Sequence, residues 1–253
     1  MSGTSAAVLV VGNEVLSGKV ADENGPWLAR RLREQGVELR ALHVVPDRVD
    51  AVVEALLLER RRVDWVLTSG GVGPTHDDVT LGAVARALGV RLRRDGRMEA
   101  LLRDMHARHN GGAALPDPAL RMADLPEGTE LLGDPDYPTL VVSRVVMLPG
   151  VPSFLRHQFD RVAHLLGGAP YHLASLYFSW GEDQLAVPLA GVAEGHPAVE
   201  IGSYPRFDRA DHRVRVTVEG RDRLAVEAAA RAVLRAVGGE ALVRAEGLEP
   251  GGA

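Results

Sequence analysis

The stretch Ser69-Gly70-Gly71-Val72-Gly73-Pro74-Thr75-His76-Asp77-Asp78-Val79-Thr80 concentrates the residue types that do phosphate chemistry. It follows an apolar run at 63–68 and leads into a helical pattern at 78–88. Gly70 and Gly71 permit positive φ and close backbone approach, and Gly73 can do the same. Backbone N–H groups there, with the positive end of the following helix, suit an anion. The adjacent carboxylates of Asp77 and Asp78 repel a phosphate unless a cation intervenes. They therefore point to Mg²⁺ or a similar hard ion shared between carboxylate and phosphate. Thr75 and Thr80 offer hydroxyls to phosphate or to metal-bound water. The expected ligand is phosphate-bearing, such as a nucleotide. The competing reading is strand-turn-helix punctuation, with Asp77 or Asp78 as a plain helix cap. No lysine follows the glycines, so this is not a Walker motif. His76 is either a phosphate contact or acid, or a solvated loop histidine.

Other candidates sit in loops that a parallel sheet would bring to the same edge. After the first apolar run come Gly12-Asn13-Glu14, Ser17-Gly18 and Asp22-Glu23-Asn24. Gly12 and Ser17 are the phosphate-facing candidates of this loop. Glu14 and Asp22 are further carboxylates for a metal or an attacking water, Asp22 joining Asp77 and Asp78 as a metal ligand. The bland alternative is a solvated loop with Asp22 or Asn24 capping the next helix. Pro149-Gly150-Val151-Pro152-Ser153 has a fixed backbone that can aim the Gly150 and Ser153 N–H groups at a ligand, or it is a rigid turn. Tyr204 either stacks on a ring or closes a sheet edge, while Trp27 and Trp65 lie in apolar runs and read as core.

The elements that must position these residues alternate. Strands are expected at 7–11, 38–45 and 63–68, with helices at 24–35, 49–57 and 78–88 between and after them. This βαβαβα rhythm argues for a parallel sheet with helices on both faces. A helix at 97–108, a loop at 110–118, short strands at 139–142 and 144–148 and a helix at 153–166 follow. Gly167-Gly168-Ala169-Pro170 reads as a linker. Beyond it the pattern becomes βαββα: strands at 172–178, 199–204 and 214–219, helices at 183–193 and 221–237. The expected domains are 1–168 and 169–245, with a flexible tail at 246–253. The fold class is α/β, a three-layer mostly parallel sheet with helices on both faces, plus a small α+β domain.

Composition narrows the class. Aromatic residues are only 4%, so the core must be built from Ala, Val and Leu, as buried parallel strands and Ala/Leu-rich helices are. The net charge of −5 argues against wholesale coating of nucleic acid. The absence of cysteine excludes disulfides, thiolate metal sites and a cysteine nucleophile. No apolar stretch reaches the length of a membrane helix and nothing resembles a signal peptide, so a cytoplasmic enzyme with no membrane partner is expected.

The motif at 68–80, with residues 11–18, 22–29 and 148–152, resembles the molybdopterin-binding (MogA/MoeA-like) family and, within it, the amino-terminal domain of CinA proteins. The stretches 137–150 and 201–205 resemble the corresponding domain of eukaryotic FAD synthases and its short bacterial relatives. The segment Gly133-Asp134-Pro135-Asp136-Tyr137-Pro138-Thr139-Leu140 departs from the CinA pattern, and no amidase or adenylyltransferase domain is expected. The resemblance implies hydrolysis of a dinucleotide pyrophosphate, of the ADP-ribose or FAD class, with a divalent metal such as Mg²⁺, Mn²⁺ or Co²⁺. It makes Asp78 the counterpart of the family's essential acidic residue. Asp77 stands where an Arg is common, which weakens molybdopterin adenylylation as the reading. A pterin-binding or adenylyl-transfer protein of molybdenum-cofactor assembly and a non-catalytic ligand sensor are the alternatives. A homo-oligomer, dimer or trimer, is expected because this fold often oligomerises.

Overall fold

A computed structural model describes residues 4–208 and 211–248. Of the tail expected at 246–253, residues 249–253 lie outside the described residues. The chain divides into two compact units, Met1–Ala169 and Pro170–Ala253.

The first unit runs β1 (Ser5–Val11), α1 (Asn13–Leu16), α2 (Asn24–Glu34), β2 (Glu38–Val45), α3 (Val49–Glu59), β3 (Trp65–Ser69), α4 (Thr80–Leu88), β4 (Leu92–Arg94) and α5 (Gly96–His109). A 3₁₀ helix (Asp117–Ala123), β5 (Asp124–Pro126), β6 (Glu130–Gly133), β7 (Pro138–Val142), β8 (Val145–Leu148) and α6 (Pro152–Leu166) complete it. The main sheet has the order β2-β1-β3-β8-β7-β6. Its first four strands are parallel and the last two pairings antiparallel.

Side-chain alternation along β1 explains why both faces are covered. Ala6, Val8 and Val10 enter one core with Leu28 and Leu32 of α2 and Leu155, Phe159 and Val162 of α6. Leu9 faces the other way, against Leu56 of α3, Leu81 and Val84 of α4 and Met98 of α5. A strand buried on both faces needs a continuous apolar run, which is what residues 6–11 supply. Phe159, fully buried, sets its ring edge-on to Trp27 at 5.5 Å and 84°. Trp65 also packs against this core.

Several details differ from the sequence expectations. Helix α4 begins at Thr80, so Asp77 and Asp78 precede it rather than opening it. The loop after β1 folds into the single turn α1. Strand β3 starts at Trp65 and not at Val63. Arg144, expected in a strand, lies with Ser143 in the two-residue turn of the β7–β8 hairpin, at φ 63° and 47°. Positive φ at both positions is the backbone such a tight hairpin needs to match strand twist. Strands β4, β5 and β6 are too short and mixed in pattern to register as strands in the sequence.

The second unit runs β9 (His172–Phe178), α7 (Glu182–Gly195), β10 (Glu200–Pro205), β11 (Val214–Gly220), α8 (Arg223–Val237), a 3₁₀ turn (Gly239–Ala241) and β12 (Leu242–Glu246). The last strand makes it βαββαβ rather than βαββα, and places Glu246 in a strand where a frayed tail was expected. The sheet is antiparallel, ordered β10-β11-β9-β12, the split βαβ arrangement. Its core joins Leu176 and Phe178 to Val216 and Val218, covered by Leu185 of α7 and Val226 and Val233 of α8. Among the described residues no helix is long and apolar enough to cross a membrane.

Candidate functional site

Four parallel strands of the first unit end at one sheet edge. The strand order reverses between β1 and β3, and open α/β sheets place ligands at such a point. A cleft of about 420 Å³ lies there. Its lining comes from the segment after each strand: Glu14 after β1, Asp47 after β2, the turn from Gly70 to Gly73 with Thr75, Asp77 and Asp78 after β3, and Pro149, Gly150 and Val151 after β8. Val11 and Met122 complete it.

The turn after β3 owes its shape to its first two glycines. Gly70 has φ +98° and Gly71 φ +68°. A Cβ on Gly70 would collide with the Val11 carbonyl oxygen, and one on Gly71 with the Thr80 hydroxyl. Both positions therefore need glycine for conformation and for close approach. The Gly70 N–H donates to Leu148 O at 3.0 Å. The buried Thr80 hydroxyl donates to Gly70 O at 2.8 Å, and the Thr80 N–H to Gly71 O at 2.9 Å. Thr80 thus braces the turn instead of presenting a hydroxyl to ligand, which corrects the sequence expectation.

The carboxylates fall into distinct roles. Asp78 Oδ2 accepts from the Thr75 N–H at 2.7 Å and from the Thr75 hydroxyl, closing the turn. A Cβ on Gly73 would come within 2.7 Å of that same oxygen, so Gly73 is small because Asp78 lies against it. Asp77 is exposed. The nearby Thr75 hydroxyl, then its own backbone N–H, hold its carboxyl below the usual range, with His76 adding a minor pull. His76 is 94% exposed and 4.0 Å from Asp77, a solvated loop histidine. Asp47 Oδ2 accepts from the Asn13 N–H at 2.7 Å. Glu14 folds back over Gly12, where a Cβ would sit 2.6 Å from its Oε1.

Asp22 is positioned otherwise. Its Oδ1 accepts from the N–H groups of Asn24 and Gly25 at 2.9 and 3.0 Å, so it caps α2. It lines a neighbouring cleft of about 100 Å³ with Glu14, Asn24 and Ser69, apart from Asp77 and Asp78. Among the described residues no three His, Cys, Asp or Glu side chains converge as metal ligands. The expected Asp22–Asp77–Asp78 cage is thus not assembled. Ser17, whose hydroxyl donates to Glu14 O at 3.2 Å, and Ser153 are not among the residues lining either cleft.

Two residues were missed in the sequence. Asp47 follows a strand just as Glu14 does, and end-of-strand position would have found it. Asn24, read only as a helix cap, is 7% exposed and joins two turns. Its Nδ2 donates to Ser69 Oγ at 3.0 Å and to Gly150 O at 2.7 Å. Asn24 therefore ties the glycine turn to the Pro-Gly turn. Asn24→Ala is expected to lower stability by about 1–3 kcal/mol, since it removes both hydrogen bonds of a buried side chain, one of them to the buried Ser69 hydroxyl. Urea denaturation checks this, and an unchanged midpoint would show the brace to be idle.

Charge in the main cleft is one-sided. Glu14, Asp47, Asp77 and Asp78 line it, with no Lys, Arg or His among the lining residues. A bare phosphate would be repelled. Hard oxygen donors without a closed cage fit a cation such as Mg²⁺, which keeps one or two carboxylates and completes its shell from substrate phosphates.

Residues 7–167 match the family model described as a probable molybdopterin binding domain, and residues 170–246 the FAD synthase, middle domain. A CinA-like protein of Frankia casuarinae is 34% identical over 241 residues, covering 88% of this chain and 55% of that protein. A protein of Aeropyrum pernix is 35% identical over 214 residues, 79% of each chain. A probable FAD synthase of Caenorhabditis elegans is 30% identical over 240 residues, 85% of this chain and 46% of that protein. The chain thus spans about half the length of the Frankia and Caenorhabditis relatives. The crystal structure of the protein CinA with unknown function from Thermoplasma acidophilum superposes with a TM-score of 0.58 at 30% identity, covering 64% of this chain and 98% of that one.

Proposed function

The chain belongs to the probable molybdopterin binding domain family, with a second unit of the FAD synthase middle-domain type, and from that premise we propose that it hydrolyses the pyrophosphate of a nucleotide of the ADP-ribose or FAD class. One observation carries the reading: a cleft floored by glycine backbone is ringed by four carboxylates with no basic side chain. Such a site favours a phosphate ligand that arrives with a divalent cation over a bare anion.

In this reading the backbone of Gly70, Gly71 and Gly73 approaches the phosphates. Asp77 and Asp78 would hold the cation together with phosphate oxygens. A cation bound there supplies charge neutralisation and a bound water of lowered pKa. Glu14, exposed at the cleft wall, orients the attacking water and accepts its proton. The water oxygen bonds to one phosphorus as the bridging P–O bond breaks, giving two monophosphates: AMP with ribose 5-phosphate, or AMP with FMN. Thr75 keeps Asp78 in place, and Asn24 holds the two turns at fixed separation.

Molybdopterin binding is the second reading, favoured by the family description itself. The experiment that separates them incubates the purified chain with ADP-ribose, FAD and NADH in Mg²⁺, Mn²⁺ or Co²⁺. AMP release is expected, lost with EDTA and reduced about a hundredfold or more in Asp78→Asn, the loss of several kcal/mol of charge stabilisation. No turnover with tight molybdopterin binding overturns the hydrolase. Binding of either kind without turnover makes the chain a sensor.

A further inference from the structure

Eleven aromatic residues, 4 Phe, 4 Tyr and 3 Trp, serve a chain of 253. In the first unit Phe159 is fully buried, but Phe154 is 48% exposed. Tyr137 lies flat against it, ring centroids 5.7 Å apart and planes 19° from parallel. Tyr137 is half-buried, so the ring left open to solvent is that of Phe154, a poor use of a scarce ring unless something covers it.

Its place in the fold says what does. Val151, at the N-cap of α6, lines the main cleft, and Phe154 is the third residue of that helix. Side chains at the N-cap and this third position are neighbours, as the capping box shows. Phe154 therefore lies close to Val151, just beyond the residues that line the cleft.

The Tyr137 loop is held in place from below. Asp134 Oδ1 accepts from the N–H groups of Asp136 and Tyr137 at 2.9 and 3.3 Å. Its Oδ2 lies 2.7 Å from His157 Nε2 on α6. The His157 contact, then the Asp136 N–H, hold the Asp134 carboxyl below the usual carboxylate range, so the anchor stays ionised at neutral pH. The aromatic pair is thereby preorganised on the helix that begins at the cleft.

We propose that the Tyr137–Phe154 pair is the ring-binding subsite of the cleft, stacking a flat heteroaromatic ring whose phosphate lies at the glycine turn. The inference rests on the phosphate-binding part of the reading above and extends it to the ring end of the ligand. Recognition by stacking is tolerant of ring identity, since every such ring presents a π face. The subsite therefore selects heteroaromatic nucleotides over sugar phosphates rather than one base over another.

The test measures binding of two probes to the full chain in Mg²⁺ by calorimetry: FMN, which has ring and phosphate, and ribose 5-phosphate, which has no ring. Phe154→Ala is expected to weaken FMN by at least about fivefold, the lower end of what one stacked ring contributes. Ribose 5-phosphate is expected to change by less than about twofold. Phe154→Trp should restore FMN binding. Unchanged FMN affinity in Phe154→Ala, or equal loss of both probes, overturns the subsite. So does a fall in molar mass by light scattering, which would make Phe154 a contact with a second copy. If FMN binds through Phe154 while ribose 5-phosphate does not bind, the subsite stands and the phosphate reading falls. If ribose 5-phosphate binds while FMN ignores Phe154, the reverse holds. If neither probe binds wild type, both fall.

Discussion

Gly70→Ala is expected to destabilise the first unit by about 3 kcal/mol or more and to abolish ligand binding at the turn. The residue holds φ +98°. Forcing a non-glycine residue into such a region costs about 1–3 kcal/mol before any collision. The collision adds to this. The Cβ would meet the Val11 carbonyl oxygen, which is backbone and cannot rotate away. Val11 is the last residue of β1, buried on both faces and paired with β2. Gly89 is the internal control. It also has positive φ, +67°, but nothing lies within 4 Å of a Cβ there. Gly89→Ala should therefore cost only about 1–2 kcal/mol, the left-handed strain alone. Urea denaturation of both variants checks the difference. Equal losses would mean that close approach to β1 does not constrain the turn.

Phe159→Ala is expected to cost about 3–5 kcal/mol, the range for deleting a large buried ring into a partly relaxing cavity. Phe159 is fully buried between the sheet and α2, and its edge contact with Trp27 adds an interaction that alanine cannot replace. Loss of that contact should also alter the near-ultraviolet dichroism of Trp27. A change in spectrum without a fall in denaturation midpoint would show that the core closes over the gap.

How much of the site the residues themselves disclose depends on the kind of signal. Glycine at 70 and 71 is informative because only a positive φ or a close approach demands it, and both are present. Asp77, Asp78, Thr75, Glu14 and Gly150 sit where the strand-end argument puts them, along one cleft. Asp22 does not. A carboxylate near a helix start serves equally as cap or ligand, and only the hydrogen bonds to Asn24 and Gly25 decide for the cap. Thr80 is similar, since a hydroxyl at a turn gives no sign of whether it faces in or out, and here it faces Gly70 O.

For the fold, the apolar run at 7–11 and its alternation with Ala/Leu helices determine a mostly parallel sheet covered on both faces, because a strand buried twice must be apolar throughout. The family motifs at 68–80 and 148–152 are equally local, being short backbone shapes written in Gly and Pro. Tertiary structure alone decided what is non-local. Strand order brings Asp47 beside Asn13, 34 residues away. It sets Asn24 between Ser69 and Gly150, and lays Tyr137 on Phe154. Final β12 returns to pair with β9, a pairing that five mixed residues do not announce. Periodicity reports which face of an element is buried, whereas a contact across the sheet edge depends on where the chain has already been.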